Sequence, residues 1–418
     1  MRKISARAWL LAGASAVLQV LLFLSADFSA LSWIALTPLL VALMLPTASG
    51  DGLNGRQGFL LGYLNGLIFY IGSCYWMYHV VATYGGVSGV VAAGVLILFS
   101  LYLGLYHGLF ALLLVGTARA QGIGAGRALA LAPLLWTATE LGRTLFTGVP
   151  LNLLGTAQAD NIPLTQVATV TGVYGVSFAM VVVNAAFAAA FMLPPVQRRA
   201  VLLASLSGAA ALQAGRLADP PASPSSHIAV LLQHNISLTE ARWTAERFDQ
   251  TLAEISAVSG QAAARSAGKR NPQLIAWPES PAPFYERDPN FRRNVTALAL
   301  ATGSYVVAGD MALQPSPKPG RRHQALNSAS LVAPDGNWVA RYDKVHLVPF
   351  GEYVPYEKLL FFAGTITREV GDFGRGSERK LLPLGDHRIG LFICYESVFP
   401  GEVRQFAAGG ADVLMNIS

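Results

Sequence analysis

Three reactive side chains each directly follow a stretch that is predicted to be a β-strand. Glu279 follows Leu-Ile-Ala-Trp-Pro, Lys344 follows one arm of a predicted hairpin, and Cys394 follows Ile-Gly-Leu-Phe-Ile. Strand ends are where α/β proteins gather catalytic groups on a rigid frame. A carboxylate can take the proton of a cysteine, and a cation can stabilise the oxyanion that forms when sulfur attacks an acyl group. These residue types predict nucleophilic acyl transfer, with the backbone N–H of Tyr395 as a second oxyanion donor.

Taken one at a time, these residues also have ordinary structural interpretations. A cysteine at a strand end is often no more than a small buried hydrophobe. The chain holds only two cysteines, Cys74 within an apolar run and Cys394, so a disulfide framework is not expected. No His, Asp or Glu cluster has metal-ligand spacing, and no Walker loop or GxSxG motif occurs. The sequence therefore predicts neither a metal nor a cofactor.

The second half of the chain has the pattern of an α/β domain of layered sheets. Alternating and continuous apolar runs predict strands that are separated by helices, and Pro334-Asp-Gly336 predicts a hairpin turn. The predicted strands are 227–233, 273–277, 305–309, 328–333, 338–342, 388–393 and 412–417, and the predicted helices are 240–262, 291–302 and 402–408.

The first half has the composition of a membrane protein. The chain is 53% hydrophobic and only 13% charged, whereas a soluble domain carries about 25% charged residues. A span needs roughly 20 apolar residues, and about seven segments approach that length. They are 8–24, 31–46, 58–78, 88–116, 127–145, 166–193 and 200–216. The second segment is short, which predicts a tilted span or a re-entrant pair with the first.

Charge along the chain predicts how this helical half is oriented. Ten Lys/Arg and four Asp/Glu lie within 1–216, whereas 217–418 holds twenty of each, so the net charge of +6 lies in the first half. With the N-terminus in the cytoplasm, eight basic residues fall on the cytoplasmic side and two on the other side. Seven crossings would then put the second half outside the cytoplasm. The neutral second half gives no reason to expect a nucleic-acid partner.

Two features inside the helical half have competing interpretations. Gly58, Gly62 and Gly66 recur every four residues, which favours close helix packing over a functional role. Glu140 and Arg143 are ionisable residues at membrane depth, and such residues are often functional. A mutual ion pair near the interface explains them equally well.

Three sequence blocks in the second half resemble the catalytic blocks of the nitrilase superfamily. They are Trp277-Pro-Glu-Ser280, the long block from Tyr342 to Pro355 (Tyr-Asp-Lys-Val-His-Leu-Val-Pro-Phe-Gly-Glu-Tyr-Val-Pro), and Ile393-Cys-Tyr-Glu-Ser397. The long block behind a multi-helix N-terminal half is similar to the bacterial apolipoprotein N-acyltransferase family. The resemblance implies a transmembrane helical domain over 1–216, a linker over 217–226, and an extracytoplasmic nitrilase-like αββα domain over 227–418.

The resemblance also implies the role of individual residues. Glu279 would be the general base, Lys344 the oxyanion stabiliser and Cys394 the nucleophile. The family's further essential residues correspond to four positions here, namely Glu352, Tyr395, Glu396 and Trp243. A surface or core aromatic remains the alternative for the last of them.

The implied reaction is a ping-pong acyl transfer. Cys394 would take an acyl chain from a membrane phospholipid as a thioester and pass it to the N-terminal amine of a diacylglyceryl-cysteine on an apolipoprotein. The implied partners are these two lipid substrates, with no metal, cofactor or nucleic acid, in a monomer of the bacterial inner membrane.

The chain departs from the family pattern at its last residues, Asn416-Ile-Ser418. In the family this strand continues into further parts of the domain and a last helix, so we expect the α/β domain to be incomplete. Two alternatives stay open. One is a membrane-tethered amidase or nitrilase that hydrolyses a small C–N substrate with the same triad, and the other is an inactive truncated membrane protein.

Overall fold

The computed structural model of the chain divides into two compact units, Met1–Ala222 and Ser223–Ser418. It describes residues 3–47, 51–219, 227–236, 243–267, 273–317, 320, 322–349, 351–353 and 373–418. Most of the predicted linker over 217–226 lies outside the described residues, as do Phe350 and the last two residues of the long sequence block. The two units are described separately below.

The described part of the first unit is helical throughout. A 3-10 helix over Ala26–Trp33 links the first two α-helices, and a further 3-10 turn covers Leu154–Gln158. The α-helices are α1 Ala6–Leu24, α2 Thr37–Met44, α3 Gly55–Ser73, α4 Trp76–His79, α5 Gly89–Ala120, α6 Ala125–Thr147, α7 Ile162–Thr165, α8 Ala168–Ala190 and α9 Pro195–Gln213.

Among the described residues, fewer helices meet the requirements of a membrane span than the seven predicted. Five do so by length and composition, and a sixth does if the bent pair of α3 and Trp76–Thr83, with an angle of 52° between its parts, counts as one span. The predicted segment 127–145 forms the 23-residue helix α6 but is not one of these spans. Threonines and charged residues, which include Glu140 and Arg143, lower the mean hydropathy of this helix. The short second segment is a broken helix, because the 3-10 helix precedes α2 within the candidate span Ala26–Met44.

The glycine repeat in α3 packs directly against α5, as its spacing predicted. A Cβ atom at Gly62 would overlap the carbonyl oxygen of His107 and the side chain of Ala111, and one at Gly58 would meet the carbonyl oxygen of Ala111. Only glycine lets the two backbones approach this closely. The repeat therefore has a packing role.

Glu140 and Arg143 are both buried inside the first unit, but their hydrogen bonds go to different partners. Glu140 Oε1 accepts from the backbone N–H of Leu154 at 2.8 Å, and Arg143 Nη1 donates to the Tyr70 hydroxyl at 2.7 Å. The exposed fractions of the two residues are 6% and 2%. Each side chain thus fixes another segment to α6, in place of the mutual ion pair that was one of the two interpretations.

The second unit is built from two sheets and three helices in its described part. The strands are β1 Ala229–Leu231, β2 Leu274–Ala276, β3 Tyr305–Pro315, β4 His323–Val332, β5 Trp338–Asp343, β6 Leu382–Leu384, β7 His387–Ile393 and β8 Val413–Ile417. The helices are α10 Ala245–Ala267, α11 Pro289–Thr302 and α12 Pro400–Ala408.

The strands form one five-stranded and one three-stranded sheet. The first has the order β1-β2-β3-β4-β5, in which β1, β2 and β3 are parallel and the β3–β4 and β4–β5 pairs are antiparallel. The second has the order β6-β7-β8, with β6 antiparallel and β8 parallel to β7. Each predicted strand and helix of this half has a counterpart in the structure, although β3 and β4 are longer than the sequence indicated and residues 240–242 of the first predicted helix lie outside the described residues.

The hydrophobic core shows how these elements are layered. Apolar residues of α10 and α11, such as Ile255 and Phe291, pack with Ile275 and Val306 on one face of the first sheet. The other face of that sheet packs against the second sheet. Phe406 of α12 packs against β7, where a Cβ atom at Gly390 would overlap it. Two sheets between helices are the αββα arrangement that the family resemblance implied, and they hold the strand ends in fixed positions.

Candidate active site

Cys394 lies at the sharp turn between β7 and a 3-10 helix over Cys394–Val398. Its φ angle of +51° is in the left-handed region that residues other than glycine rarely adopt. Asn416 of β8 holds this turn, because its side chain accepts from Cys394 N at 3.2 Å and donates to Cys394 O at 3.1 Å. The strained turn ends the strand abruptly and leaves the Cys394 thiol partly exposed.

Glu279 follows β2 in a second tight turn. Ser280 directly after it has a φ angle of +33°. A Cβ atom at Gly309 of β3 would overlap the carbonyl oxygen of Pro278 and crowd the backbone of Ser280. Glycine at this position therefore lets β3 pass close to the turn, and the side chain of Glu279 remains 18% exposed.

Lys344 directly follows β5, and its ammonium group lies between two carboxylates. Its Nζ is 3.2 Å from Glu279 Oε1 and 2.9 Å from Glu352 Oε1. The Lys344 side chain is only 1% exposed. Glu352 Oε2 accepts from the backbone N–H of Val348 at 2.8 Å, which ties this carboxylate to the loop that follows Lys344.

The cysteine belongs to the same cluster, since the charges of Glu279 and Lys344 both act on the pKa of its thiol. Burial raises the pKa of the Cys394 thiol, as does the nearby Glu279 charge, and Ser418 and Lys344 only partly offset this. For Lys344, burial lowers the pKa, but the Glu279 and Glu352 carboxylates outweigh it and the net direction is upward. The cluster therefore holds a protonated thiol beside a carboxylate and a cation that stays charged.

Glu396 joins the cysteine turn to the lysine loop. It is 2% exposed, and its oxygens accept from Ile393 N at 2.8 Å, Val345 N at 2.8 Å and His346 N at 3.0 Å. The Tyr342 hydroxyl also donates to both oxygens, at 2.9 and 3.0 Å. One buried carboxylate thus fixes the position of Cys394 relative to Lys344 without touching either side chain in the described structure.

The two aromatic residues singled out in the sequence lie in different surroundings. Tyr395 is half-buried beside the nucleophile, where its ring contacts Phe399 at 5.1 Å between centroids, and burial raises its pKa to about 12. Trp243 lies just before α10 and is 36% exposed. No ring contact or hydrogen bond of Trp243 to the cluster occurs among the described residues.

The structure adds one residue that the sequence did not single out. Asn327 is 5% exposed, and its Nδ2 donates to Glu279 Oε1 at 2.7 Å and to Glu352 Oε1 at 2.8 Å. The predicted strand began at 328, whereas β4 begins at His323. Placing Asn327 inside the strand would have marked it as a buried polar residue that needs partners.

Two family descriptions match the two units in turn. Residues 15–186 match the apolipoprotein N-acyltransferase N-terminal domain, and residues 229–418 match the carbon-nitrogen hydrolase family. Among solved structures, the chain is similar to a carbon-nitrogen hydrolase from Helicobacter pylori G27, at 19% identity over 45% of this chain and 58% of that one, with a TM-score of 0.31. An amidase from Nesterenkonia sp. matches at 22% identity over 45% of this chain and 63% of that one, with a TM-score of 0.30.

Relatives in bacteria match across both units. An apolipoprotein N-acyltransferase from Geobacter metallireducens is 38% identical over 99% of this chain and 77% of its own length. Another from Rhizobium rhizogenes is 30% identical over 98% of this chain and 77% of its own length. A third, from Bradyrhizobium diazoefficiens, is 32% identical over 67% of this chain and 54% of its own length. A helical membrane-type unit followed by a nitrilase-like unit, with this degree of identity along almost the whole chain, establishes that the chain belongs to the apolipoprotein N-acyltransferase family.

Proposed function

We propose that the protein transfers an acyl chain from a membrane phospholipid, through a thioester on Cys394, to the N-terminal amine of a diacylglyceryl-cysteine on an apolipoprotein. The observation that carries the proposal is the cluster in which Glu279, Lys344 and Cys394 meet at three strand ends. Base, cation and nucleophile are the groups that acyl transfer through sulfur requires. Family membership supports the substrate class, because the relatives are named for N-acylation of apolipoproteins.

In the first half-reaction Glu279 acts as the base. Burial and the Glu279 charge raise the pKa of Cys394, so the resting nucleophile is a thiol and needs a base at the moment of attack. The Cys394 proton moves to the Glu279 carboxylate as sulfur bonds to the ester carbonyl carbon. When the tetrahedral intermediate collapses, the ester C–O bond breaks, and Glu279 returns the proton to the departing lysophospholipid oxygen.

Lys344 stabilises the negative charge that develops on the carbonyl oxygen. The two carboxylates keep it protonated, and its side chain is held at low exposure, where a charge interacts more strongly than in water. The backbone N–H of Tyr395, at the first turn of the 3-10 helix, is the second donor to this oxygen. Glu352 holds Lys344 in place, and Glu396 holds the cysteine turn.

In the second half-reaction the uncharged α-amine of the lipoprotein attacks the thioester carbonyl. Glu279 accepts a proton from the amine as the amide bond forms, the C–S bond breaks, and the proton passes to the departing Cys394 sulfur. The products are a triacylated lipoprotein and the regenerated thiol, so no oxidant, metal or cofactor enters the balance. Trp243 is exposed before α10 and is proposed to contact one of the two lipid substrates.

The proposed location is the bacterial inner membrane, with the N-terminus in the cytoplasm and the second unit outside it. Eight basic residues against two favour this orientation if the helical unit crosses the membrane an odd number of times. Helix α6 supplies the seventh crossing in this proposal. Its 23 residues span about 34 Å at about 1.5 Å per residue, and Glu140 and Arg143 are buried inside the unit, away from lipid.

The experiment that tests this function supplies both substrates. The protein is reconstituted in phospholipid bilayers with a short peptide that carries an N-terminal S-diacylglyceryl-cysteine, and the peptide mass is followed. We expect the peptide to gain one acyl chain as an amide, with one lysophospholipid released for each amide formed. The matched control is the same peptide with an acetylated α-amine, which offers no nucleophile and should stay unchanged.

The alternative activity gives a different result in the same assay. A membrane-tethered amidase would leave the peptide mass unchanged and would release ammonia from small amides. That result would overturn the acyltransferase proposal while leaving the Glu279–Lys344–Cys394 chemistry in place.

A further inference from the structure

We propose that Asn327 is a positioning residue of this site, whose side-chain amide fixes one oxygen of Glu279 so that the other oxygen faces Cys394. The proposal rests on the proposed function only for the identity of the substrates. The orientation of the base toward the thiol is a property of the protein without any substrate bound.

The contacts form a closed ring of four atoms. Glu279 Oε1 lies 3.2 Å from Lys344 Nζ and 2.7 Å from Asn327 Nδ2. Glu352 Oε1 lies 2.9 Å from the same Nζ and 2.8 Å from the same Nδ2. Two carboxylate oxygens therefore alternate with two nitrogen donors. Both bonds to Glu279 go to Oε1, which leaves Oε2 outside the ring.

The charges in this ring explain why the second nitrogen donor is the neutral amide of Asn327. Two carboxylates and one ammonium leave a net negative charge in a buried place, and the carboxylates repel each other. The NH₂ group of asparagine has two donors and no charge, so it can bridge both oxygens. An aspartate at 327 would add a third negative charge, and a leucine would offer no donor.

The backbone of Asn327 is held more rigidly than the backbones of Glu279, Lys344 and Glu352. Asn327 lies within β4, where it pairs with Met311 of β3, and its carbonyl oxygen accepts from Lys344 N at 2.8 Å. Glu279 and Lys344 both follow strand ends, and Glu352 lies in a turn. The hydrogen bonds of Asn327 thus restrict the movement of two carboxylates whose own backbones lie outside the strands.

The test follows the rate at which iodoacetamide alkylates Cys394 as a function of pH in the whole 418-residue chain, with peptide mass mapping to separate Cys394 from Cys74. The charged and titratable groups that face one another in this cluster are Glu279, Glu352, Lys344 and Cys394. Without the Asn327 donor, the negative charge of Glu279 is less well offset and opposes loss of the Cys394 proton more strongly. We expect Asn327→Leu to move the acid limb of the Cys394 profile upward by about one pH unit.

The neighbouring residue on the same strand provides the control. Ser328 is also buried, but it points to the opposite face of β4 and donates to Asp343 Oδ1 at 2.7 Å. Ser328→Ala removes a buried hydrogen bond without touching the ring, so its profile should keep the wild-type acid limb. Asn327→Asp preserves the side-chain volume and should move the limb further than Asn327→Leu, because it adds a charge. If the leucine variant does not fold, the Asn327→Asp variant alone tests the positioning role.

A purely structural role would give another pattern. If the Asn327 variants slow alkylation at every pH to the extent that Ser328→Ala does, and the acid limb stays in place, the positioning role is contradicted. Alkylation needs no phospholipid, so a shifted limb in a protein that acylates no peptide would uphold this inference and overturn the proposed function alone.

Discussion

The two faces of the β3–β4 pair carry buried carboxylates that differ in whether a cation pairs with them. On one face Asn327 of β4 reaches the Glu279 and Glu352 carboxylates, which share the ammonium group of Lys344. On the other face Asp310 of β3 lies opposite Ser328 and is fully buried. The two sets of side chains thus leave the same strands in opposite directions.

The two faces differ in which carboxylates the nearby cation contacts. Lys344 is shared by the two carboxylates beside it, whereas Arg341, near Asp310, is bonded to Asp343 at 2.8 Å and to Glu286 at 2.7 Å. Burial raises the pKa of Asp310 from the ordinary 3.8 to about 7. A buried carboxylate that has a cation can stay ionised and serve as a base, while one without a cation becomes a pH-sensitive part of the core.

Removal of the cation from the first face is expected to have the largest effect. Lys344→Met should slow thioester formation on Cys394 by about 10²–10³-fold, because one oxyanion donor is lost. It also leaves two buried carboxylates without their cation, so the free energy of unfolding should fall by about 3–5 kcal/mol. Single-turnover acylation, measured well below the unfolding temperature of the variant, checks the first effect.

Asp310→Asn is the matched variant on the second face. It should leave the single-turnover rate within about threefold of wild type, a barrier change below about 0.7 kcal/mol, since no contact between Asp310 and the cluster occurs among the described residues. Equal losses of rate in the two variants would mean that the faces are not functionally distinct.

The next largest effect concerns Glu396, whose carboxylate joins the turn at Cys394 to the loop after Lys344. Glu396→Gln replaces one acceptor oxygen by an NH₂ group that faces buried N–H and O–H donors. We expect a loss of about 1–3 kcal/mol in the free energy of unfolding, measured by denaturant titration. Glu402→Gln is the control, because Glu402 pairs with His346 and Arg379 at a partly exposed site, where such pairs contribute about 0–1 kcal/mol. A larger loss in the control would contradict the importance given to Glu396.

The last effect is the pH dependence that Asp310 gives to the stability of the core. Because its pKa is raised on folding, the folded protein binds the proton more tightly than the unfolded chain does. The contribution of Asp310 to the free energy of unfolding should therefore be largest at low pH, fall as pH rises from about 4 to about 7, and then level off. The total is on the order of a few kcal/mol. Asp310→Asn should flatten this part of the curve.

Amide hydrogen exchange in β3 and β4, corrected for the intrinsic pH dependence of exchange, measures the local stability of these strands. If protection in the wild type does not fall between pH 5 and pH 8, Asp310 has a cation or donor that stabilises its charge, and the contrast between the faces is lost.

The sequence predicted the second unit well because its signals are local. Each strand is an apolar run bounded by turn residues, and Glu279, Lys344 and Cys394 stand directly after such runs, where a sheet holds side chains at fixed positions. Glu352 and Glu396 were singled out by family resemblance, and their hydrogen bonds to Lys344 and to the two loops depend on tertiary structure.

Features that depend on strand pairing or on burial were harder to predict. Asn327 lay outside the predicted strand, and only the register of β4 brings its amide to the carboxylates. The charge of Asp310 depends on whether Arg341 is available to it, and Arg341 is bonded to its near neighbour Asp343 and to Glu286, which is distant in sequence. In the first unit, Glu140 and Arg143 have the right spacing for a pair on α6, yet they bond to Leu154 and Tyr70, which only the tertiary structure brings next to α6.

The most direct test of the account is the site of acylation. The protein is incubated with phospholipid, and its intact mass is measured before and after hydroxylamine, with Cys394→Ala and Cys74→Ala as paired variants. Cys74 is fully buried among the helices of the first unit, so its loss should not matter. The account predicts a hydroxylamine-labile acyl adduct in the wild type and in Cys74→Ala, and none in Cys394→Ala. An adduct that persists in Cys394→Ala, or its absence from the wild type, would contradict the central claim that Cys394 is the acyl carrier.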